Sequence, residues 1–213
     1  HLPAVHEGER ERRRRAADLR PLLCASLCLS VFVVNLSFVP PSEFERVSIE
    51  RFAKLCRINV LYMIQRAGSG HIGTSFSCMD ILCALYLREL KPDDIFFSSK
   101  GHDVPAQYAV LTATGKLPSE AIHTLRRLGG LPGHPDVGTP GMAANSGSLG
   151  MGISKAKGMI RAKRLRKEPG RVFVLTGDGE LQEGQIWESL ATAVTMSELT
   201  VIVDHNKLQS DTW

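Results

Sequence analysis

The sequence predicts an α/β fold in which a parallel sheet is covered by helices on both faces. Residues 171–176 and 199–204 form two continuously apolar segments, which is typical of strands buried on both sides of a sheet. A helical pattern over 185–196 separates them, so the three segments form a strand–helix–strand unit whose strands run parallel. A further apolar segment at 95–98 predicts an additional short strand.

Helices are predicted where apolar residues recur at helical spacing. The first covers 47–65, and Ser48 provides its start signal. The second covers 77–90 and ends before Pro92. Three further helices are predicted over 105–114, 119–128 and 153–166.

The segment 129–152 lies between two of these helices and is rich in glycine and proline. It is too long for a simple connection, and loops of this length in compact domains usually carry function. We therefore expect binding residues within it.

Residues 22–39 are almost entirely apolar, and a cluster of arginines precedes them. This order is typical of a secretory signal or a short membrane helix, but no convincing cleavage site follows. We expect residues 1–44 to be an extension, disordered or artefactual, and residues 45–213 to form the folded domain of a cytoplasmic protein. A targeting or anchoring segment and a structural part of the fold are the alternatives for the extension.

Composition excludes several classes of protein. The 213-residue chain has a net charge of +4, and much of its basic excess lies in the extension. The remainder is nearly neutral, so we expect no nucleic-acid partner. The five cysteines are odd in number and include no C-x-x-C pair, which disfavours a disulfide framework and a zinc ribbon. Buried free thiols are expected instead.

Two polar residues follow the last two predicted strands. Asp178 comes just after the first strand, within Gly177-Asp178-Gly179, and Asn206 comes just after the second. Parallel strands bring their carboxyl ends to one edge of the sheet, where ligands bind in open α/β folds. Carboxylate and amide oxygens suit a hard divalent cation such as Mg²⁺, which commonly also binds phosphate oxygens. The pattern therefore predicts a metal-bridged phosphate site.

Five motifs resemble those of the transketolase family and occur in the family's order. Gly177-Asp178-Gly179, followed after 26 residues by Asn206, is similar to the family's thiamine diphosphate motif. The resemblance covers about residues 47–213 and implies the thiamine diphosphate-binding fold, here C-terminally truncated. The other four motifs are Ser69-Gly70-His71-Ile72-Gly73, Ser99-Lys100-Gly101-His102, Gly133-His134-Pro135 and Ser146-Gly147-Ser148-Leu149-Gly150-Met151-Gly152.

The resemblance implies a role for each matching position. The cofactors would be thiamine diphosphate and Mg²⁺, or another divalent cation such as Ca²⁺ or Mn²⁺. Asp178, Asn206 and the carbonyl of Leu208 would hold the metal, and Asp204 would orient a neighbouring contact. His71 and His134 would face the substrate as catalytic residues. The implied cofactor-binding residues are His102, Gly147, Ser148, Leu149, Gly177, Asp178, Gly179 and Asn206.

By the same resemblance, the reaction would transfer a two-carbon ketol unit between sugar phosphates. The family's activating glutamate lies on a pyrimidine-binding domain, so this chain would be inactive alone. That domain, or a C-terminal subunit carrying it, would be the partner in a homodimer or heterotetramer. The alternatives are the N-terminal part of another thiamine enzyme, such as a deoxyxylulose-phosphate synthase, and a non-catalytic relic of the fold. The sequence departs from the family at Ile72, Ser148 and His205.

Overall fold

The computed structural model describes residues 40–208. The apolar segment 22–39 and most of the predicted extension lie outside the described residues, and the domain boundary at residue 45 stays a prediction. The helices are α1 (Ile49–Ala67), α2 (Ile72–Ser77), α3 (Met79–Ala84), α4 (Val104–Ala113), α5 (Gly152–Arg166) and α6 (Gly184–Ala191). The strands are β1 (Ile95–Ser98), β2 (Val172–Gly177) and β3 (Leu199–Asp204). Short 3₁₀-helices cover Pro41–Arg46, Ser119–Thr124 and Gly179–Gln182.

The strands of the described region form one parallel sheet in the order β1-β2-β3. Ser98 pairs with Leu175, and Gly177 pairs with Asp204. The chain therefore leaves β2 and β3 side by side, at the same edge of the sheet. This register is what the strand–helix–strand pattern predicts, and it confirms the parallel α/β fold.

Each face of the sheet packs against helical elements. On one face, Val174 packs with Ala156 and Ile160 of α5. On the other face, the ring of Phe96 meets Tyr86 edge to face, with centroids 5.7 Å apart. Strand β2 is buried along its whole length, whereas β3 is mostly half-buried because it lies at the edge of the sheet in the described region.

Helix α1 begins and ends at the signals its sequence contains. The Ser48 hydroxyl accepts a hydrogen bond from the backbone N–H of Arg51 at 3.4 Å, which satisfies one of the free donors of the first turn. Gly68 ends the helix in the left-handed conformation, at φ 72°, which glycine adopts without a steric penalty. Both ends of the helix lie two residues later than in the predicted 47–65, at Ile49 and Ala67.

The helix predicted over 77–90 is present from Met79 to Glu89, but it is not one regular α-helix. Helix α2 ends at Ser77, α3 covers Met79–Ala84, and Leu85–Glu89 forms a π-helical turn closed by Leu90 N–H to the Leu85 carbonyl at 2.9 Å. The Arg88 guanidinium in that turn donates to the carbonyls of Phe44, Glu45 and Val47. Contacts with a distant segment of the chain therefore accompany the departure from regular helix.

Two other helices are shorter than predicted. The segment 119–128 is a 3₁₀-helix that stops at Thr124, because Arg126 takes a left-handed backbone at φ 56° and its N–H donates to Leu131 at 2.7 Å. Helix α6 ends at Ala191 rather than residue 196. No helix of residues 40–208 is long and apolar enough to cross a membrane. Cys56, Cys78 and Cys83 are buried free thiols, as expected.

Candidate functional site

The carboxyl edge of the sheet opens into a cavity of about 600 Å³. Its walls come from the ends of β1, β2 and β3 and from helix α2 with the residues around it. Eight of the residues singled out by sequence line it: His71, His102, Leu149, Gly177, Asp178, Gly179, Asn206 and Leu208. The remaining lining residues are Gly73, Thr74, Ser77, Lys100 and Glu180.

Asp178 and Asn206 meet at this edge, and their side chains shape the loop between them. One carboxylate oxygen of Asp178 accepts the Gly179 N–H at 3.0 Å, and the other accepts the Lys207 N–H at 2.7 Å. The amide oxygen of Asn206 accepts the Leu208 N–H at 2.8 Å. Lys207 is held at φ 60°, a conformation that only glycine, asparagine and aspartate visit routinely. The loop is therefore fixed by the same oxygen atoms that were predicted to bind a metal.

Beneath this loop, Lys100 and Asp204 form a buried ion pair. The ammonium of Lys100 lies 2.8 Å from a carboxylate oxygen of Asp204, with side-chain exposures of 3% and 6%. Burial works to lower the pKa of Lys100, but the neighbouring Cys78, Asp103 and Asp204 outweigh it, so the pKa is raised. The Ser77 hydroxyl donates to the same Asp204 oxygen at 2.5 Å.

Ser77 also connects this pair to the predicted metal ligand. Its hydroxyl oxygen accepts a hydrogen bond from the Asn206 amide nitrogen at 3.3 Å. The amide oxygen of Asn206 is thereby assigned to the side away from Ser77, since the amide nitrogen is the donor. A chain of contacts thus runs from Lys100 through Asp204 and Ser77 to Asn206, and it joins α2 to the end of β3.

Glu180 is a second buried carboxylate of the cavity wall, with 2% of its surface exposed. It accepts hydrogen bonds from the Ser99 hydroxyl, from the Gly150 N–H at 2.7 Å and from the Gly177 N–H at 3.2 Å. Its three donors come from three separate parts of the chain.

Two histidines approach each other across the cavity mouth. The rings of His71 and His102 lie edge to face, with centroids 5.3 Å apart. The His102 Nδ1 lies 3.0 Å from the Lys100 carbonyl. Because a carbonyl only accepts, Nδ1 carries the proton and Nε2 is the free nitrogen of the neutral ring. Burial lowers the pKa of His102, so the neutral ring is favoured.

The loop with Gly147, Ser148 and Leu149 forms the exposed side of the site. His134 is also exposed and packs on Gly147, since a Cβ added there would lie 2.8 Å from its ring. His134, Gly147 and Ser148 do not line the cavity itself, whereas Leu149 does. Gly101 at φ 74° has no room for a side chain, because a Cβ would lie 2.6 Å from the Gly147 nitrogen.

These residues fit a phosphate-bearing ligand. The Thr74 hydroxyl lies on the cavity wall, buried and without a hydrogen-bond partner among the described residues. Gly73, Gly177 and Gly179 also line the cavity, so part of its wall is backbone without side chains. Within residues 40–208, no three His, Cys, Asp or Glu side chains cluster as in an all-protein metal site.

The fold and a match to a family model together define a thiamine diphosphate-binding α/β domain. Residues 48–212 match the family model described as transketolase, thiamine diphosphate binding domain. Since that match covers most of the chain, the protein belongs to the transketolase family.

Named relatives agree with this assignment. The chain is 38% identical over 180 residues to a 6-deoxy-6-sulfo-D-fructose transketolase subunit of Clostridium sp., covering 78% of this chain and 66% of that protein. It is 38% identical over 165 residues to an apulose-4-phosphate transketolase subunit of Phocaeicola vulgatus, covering 72% and 59%. The solved transketolase of Campylobacter jejuni superposes with a TM-score of 0.69 at 29% identity, covering 76% of this chain and 28% of that one. The chain thus spans less than two thirds of each.

Sequence reasoning gave no role to Lys100, Ser77, Thr74 or Glu180. Lys100 and Glu180 stand inside recognised motifs, which is a signal that they lie near the site. Their burial, however, depends on how β1, β2 and α2 come together. A charged residue is mostly exposed unless paired, and no local pattern identifies these partners.

Proposed function

We propose that this chain is the diphosphate- and metal-binding part of a transketolase-like enzyme that transfers a two-carbon ketol unit between sugar phosphates. The observation that carries the proposal is the meeting of Asp178 and Asn206 on one cavity at the ends of β2 and β3. A second wall of that cavity carries His102, which directly follows Gly101, and Gly101 packs closely on Gly147 beside the cavity. Together these groups would offer oxygen ligands for a cation and, next to them, space for a diphosphate.

Asp178, Asn206 and the Leu208 carbonyl would hold Mg²⁺, or a related cation such as Ca²⁺ or Mn²⁺. The loop that carries the last two ligands is already fixed by hydrogen bonds to Asp178 and Asn206. Each of these oxygens has a second lone pair beside the one used for the N–H. A cation can therefore be bound while the loop keeps its shape, which reduces the ordering cost of binding.

The bound cofactor would supply stabilisation of a carbanion, and the protein would supply binding and orientation. His102 would contact the diphosphate, and Gly147, Ser148 and Leu149 would line the ring system. His71 lines the cavity and His134 packs on the neighbouring Gly147, and both are exposed. There they would hydrogen-bond substrate hydroxyls and move protons.

A pyrimidine-binding domain would complete the site, from the same protein or a C-terminal subunit. This is consistent with relatives named as subunits of transketolases. The assembled form would be a homodimer or a heterotetramer in the cytoplasm, acting on sugar phosphates and not on nucleic acid. Leu149 and Leu208 line the cavity and are 39% and 59% exposed, and a second domain would cover such apolar surface.

The test is calorimetric titration of thiamine diphosphate into the 213-residue chain, with Mg²⁺ and with a chelator, alone and with a pyrimidine-domain chain. We expect binding that requires the metal and is lost in Asp178→Ala. Asp93→Ala, which removes an exposed carboxylate remote from the cavity, is the matched control and should bind normally. Absence of binding in both mixtures would indicate a non-catalytic relic. Metal-independent binding would contradict the proposed ligand set.

A further inference from the structure

Glu180 is a negative charge beside the space proposed for an anion. It lines the cavity, and only 2% of its surface is exposed. Burying a carboxylate is costly, and at this position the charge would also repel a diphosphate. Because the charge of Glu180 would oppose binding of the ligand, the hydrogen bonds that it accepts, and not its charge, indicate its role at this position.

The three groups that donate to Glu180 come from the three segments that form the proposed cofactor site. Ser99 directly precedes Lys100-Gly101-His102, at the end of β1. Gly150 follows the Gly147–Leu149 loop, and its N–H donates at 2.7 Å. Gly177 directly precedes Asp178, and its N–H donates at 3.2 Å.

These segments are packed too closely for any of them to shift alone. The Ser99 hydroxyl, which donates to Glu180, also accepts the Gly152 N–H at 3.0 Å. A Cβ on Gly152 would collide with Ser99, and one on Gly101 would collide with the Gly147 backbone. The hydrogen bonds to Glu180 therefore join segments whose backbones are already in contact. A displacement of about 1 Å in one of these segments would disturb the geometry of the Gly147–Leu149 loop.

We propose that Glu180 is a positioning residue that locks the Gly147–Leu149 loop to the Asp178 turn and to the His102 segment before the cofactor binds. This inference rests on the proposed cofactor site. All three partners are donors, so the position needs a group with acceptors only, which a carboxylate is and an amide is not. In Glu180→Gln, the amide nitrogen would face a hydrogen-bond donor, and at least one buried donor would lose its partner.

The sign of the effect separates positioning from simple electrostatics. Glu180→Gln removes a negative charge beside the diphosphate, so charge alone would make cofactor binding tighter. Loss of positioning makes it weaker instead. Glu188→Gln is the matched control, because Glu188 is an exposed acid on α6 and the substitution changes net charge by the same amount.

The experiment measures thiamine diphosphate affinity with Mg²⁺ for the parent chain, Glu180→Gln and Glu188→Gln, well below their unfolding temperatures. We expect Glu180→Gln to bind at least about tenfold more weakly and Glu188→Gln to bind normally. Affinity of Glu180→Gln within about twofold of the parent, or tighter, would overturn the positioning role.

A second measurement needs no cofactor. Backbone amide exchange in the cofactor-free chain should be faster in Glu180→Gln at Gly150 and Gly177, by about tenfold or more, and unchanged in helix α1. Uniform acceleration across the chain, or none at Gly150, would contradict the inference. If Glu180→Gln does not fold, Ser99→Ala removes the hydroxyl that donates to Glu180 and accepts the Gly152 N–H, and exchange should be faster at Gly150, which donates to the same Glu180 oxygen, as well as at Gly152. If the parent chain does not bind cofactor, the proposed function fails and amide exchange decides the role of Glu180.

Discussion

The two sides of the cavity are built differently. The floor consists of the lining residues Lys100 and Glu180 and of Asp204, which pairs with Lys100 behind the cavity wall. These groups are 2–4% exposed, and each has polar partners. The rim is exposed and consists of the lining residues His71 and Leu149, together with His134, which packs beside them on Gly147. Within residues 40–208, neither imidazole of the rim forms a hydrogen bond. The floor is therefore organised by the fold before a ligand arrives, whereas the rim is left open for one.

This difference indicates which side chains are ordered during folding and which become ordered only when a ligand binds. Holding buried charges in place without a ligand lowers stability, but it removes the cost of ordering them when a cofactor binds. The rim groups keep their rotamer freedom until a substrate or a second domain meets them. Substitutions should therefore affect folding at the floor and activity at the rim.

The largest effect is expected at the Lys100–Asp204 pair of the floor. Asp204→Ala leaves a buried ammonium without its carboxylate, and breaking a buried pair in this way costs about 3–5 kcal/mol of unfolding free energy. The cost follows from the side-chain exposures of 3% and 6%. Urea unfolding measures it. The double variant Lys100→Met/Asp204→Leu, which removes both charges, should recover much of the loss.

The control for this prediction is the exposed Lys54–Glu50 pair on α1, with side-chain exposures of 68% and 76%. Lys54→Ala should cost no more than about 0.5 kcal/mol, because exposed pairs on helices contribute little. If Asp204→Ala were as mild as Lys54→Ala, the floor would not be a preorganised charge network.

The second prediction concerns pH and His102, between floor and rim. Its Nδ1–H donates to the Lys100 carbonyl, so only a protonated ring can also donate from Nε2 to a diphosphate. Cofactor binding should therefore take up a proton. Cofactor affinity should fall as the pH rises from the pKa of His102 in the cofactor-free chain to its pKa in the complex, by up to about tenfold per pH unit. Asp103, Lys100 and His71 are the charged and titratable neighbours.

The cofactor-free chain should show the opposite dependence. Burial lowers the pKa of His102 when the chain folds. The folded state is thus favoured above the unfolded pKa of about 6.5, and this contribution is lost as the pH falls below it.

Calorimetry in buffers of different ionisation enthalpy measures the proton uptake on cofactor binding, which should disappear in His102→Asn. Uptake that persists in His102→Asn would assign the proton to another group.

The same contrast explains how much the sequence could predict. Strands β1 and β3 have their predicted bounds, and β2 differs by one residue at each end, because apolar runs flanked by turn residues are local signals. The segment 77–90 is helical as predicted, but its π-helical end is not predictable, because nothing in its own sequence shows that Arg88 binds the carbonyls of Phe44, Glu45 and Val47. Tertiary contacts decide such breaks.

The candidate site divides in the same way. Asp178 and Asn206 are predictable because they follow strands, and parallel strands end at one edge. Glu180 is not, because its three partners lie up to 81 residues away in sequence and meet only in the fold. Sequence motifs thus identify groups that would touch the ligand, whereas the groups that hold them in place emerge from the structure.

The third prediction tests the rim. His71→Ala and His134→Ala should change the unfolding free energy by no more than about 0.5 kcal/mol, as exposed side chains without hydrogen bonds usually do. In the assembled enzyme, either substitution should lower the rate of ketol transfer by about a hundredfold or more, since positioned acid–base groups contribute that much. Steady-state assays with a pyrimidine-domain partner measure this. Normal turnover in both variants would remove these histidines from the catalytic set.

The smallest effect is expected far from both regions, at the end of α5. Lys167 caps this helix in the left-handed conformation, at φ 59° and ψ 33°. That backbone costs a residue with a Cβ about 1 kcal/mol, and glycine is the usual residue there. Lys167→Gly should therefore stabilise the chain, by about 0.5 kcal/mol after the greater freedom of glycine in the unfolded state is subtracted.

Arg161→Gly is the matched control, because it places glycine at an exposed position inside the same helix. It should destabilise by about 1 kcal/mol. Thermal unfolding of both variants gives the sign of each change, and a loss of stability in Lys167→Gly would contradict the strain at that position. Because neither substitution touches the cavity, cofactor affinity should stay at the parent value in both. These two variants therefore serve as a control for the cavity floor. If they change stability without changing cofactor affinity, then weaker cofactor binding in a floor variant is not explained by lower global stability.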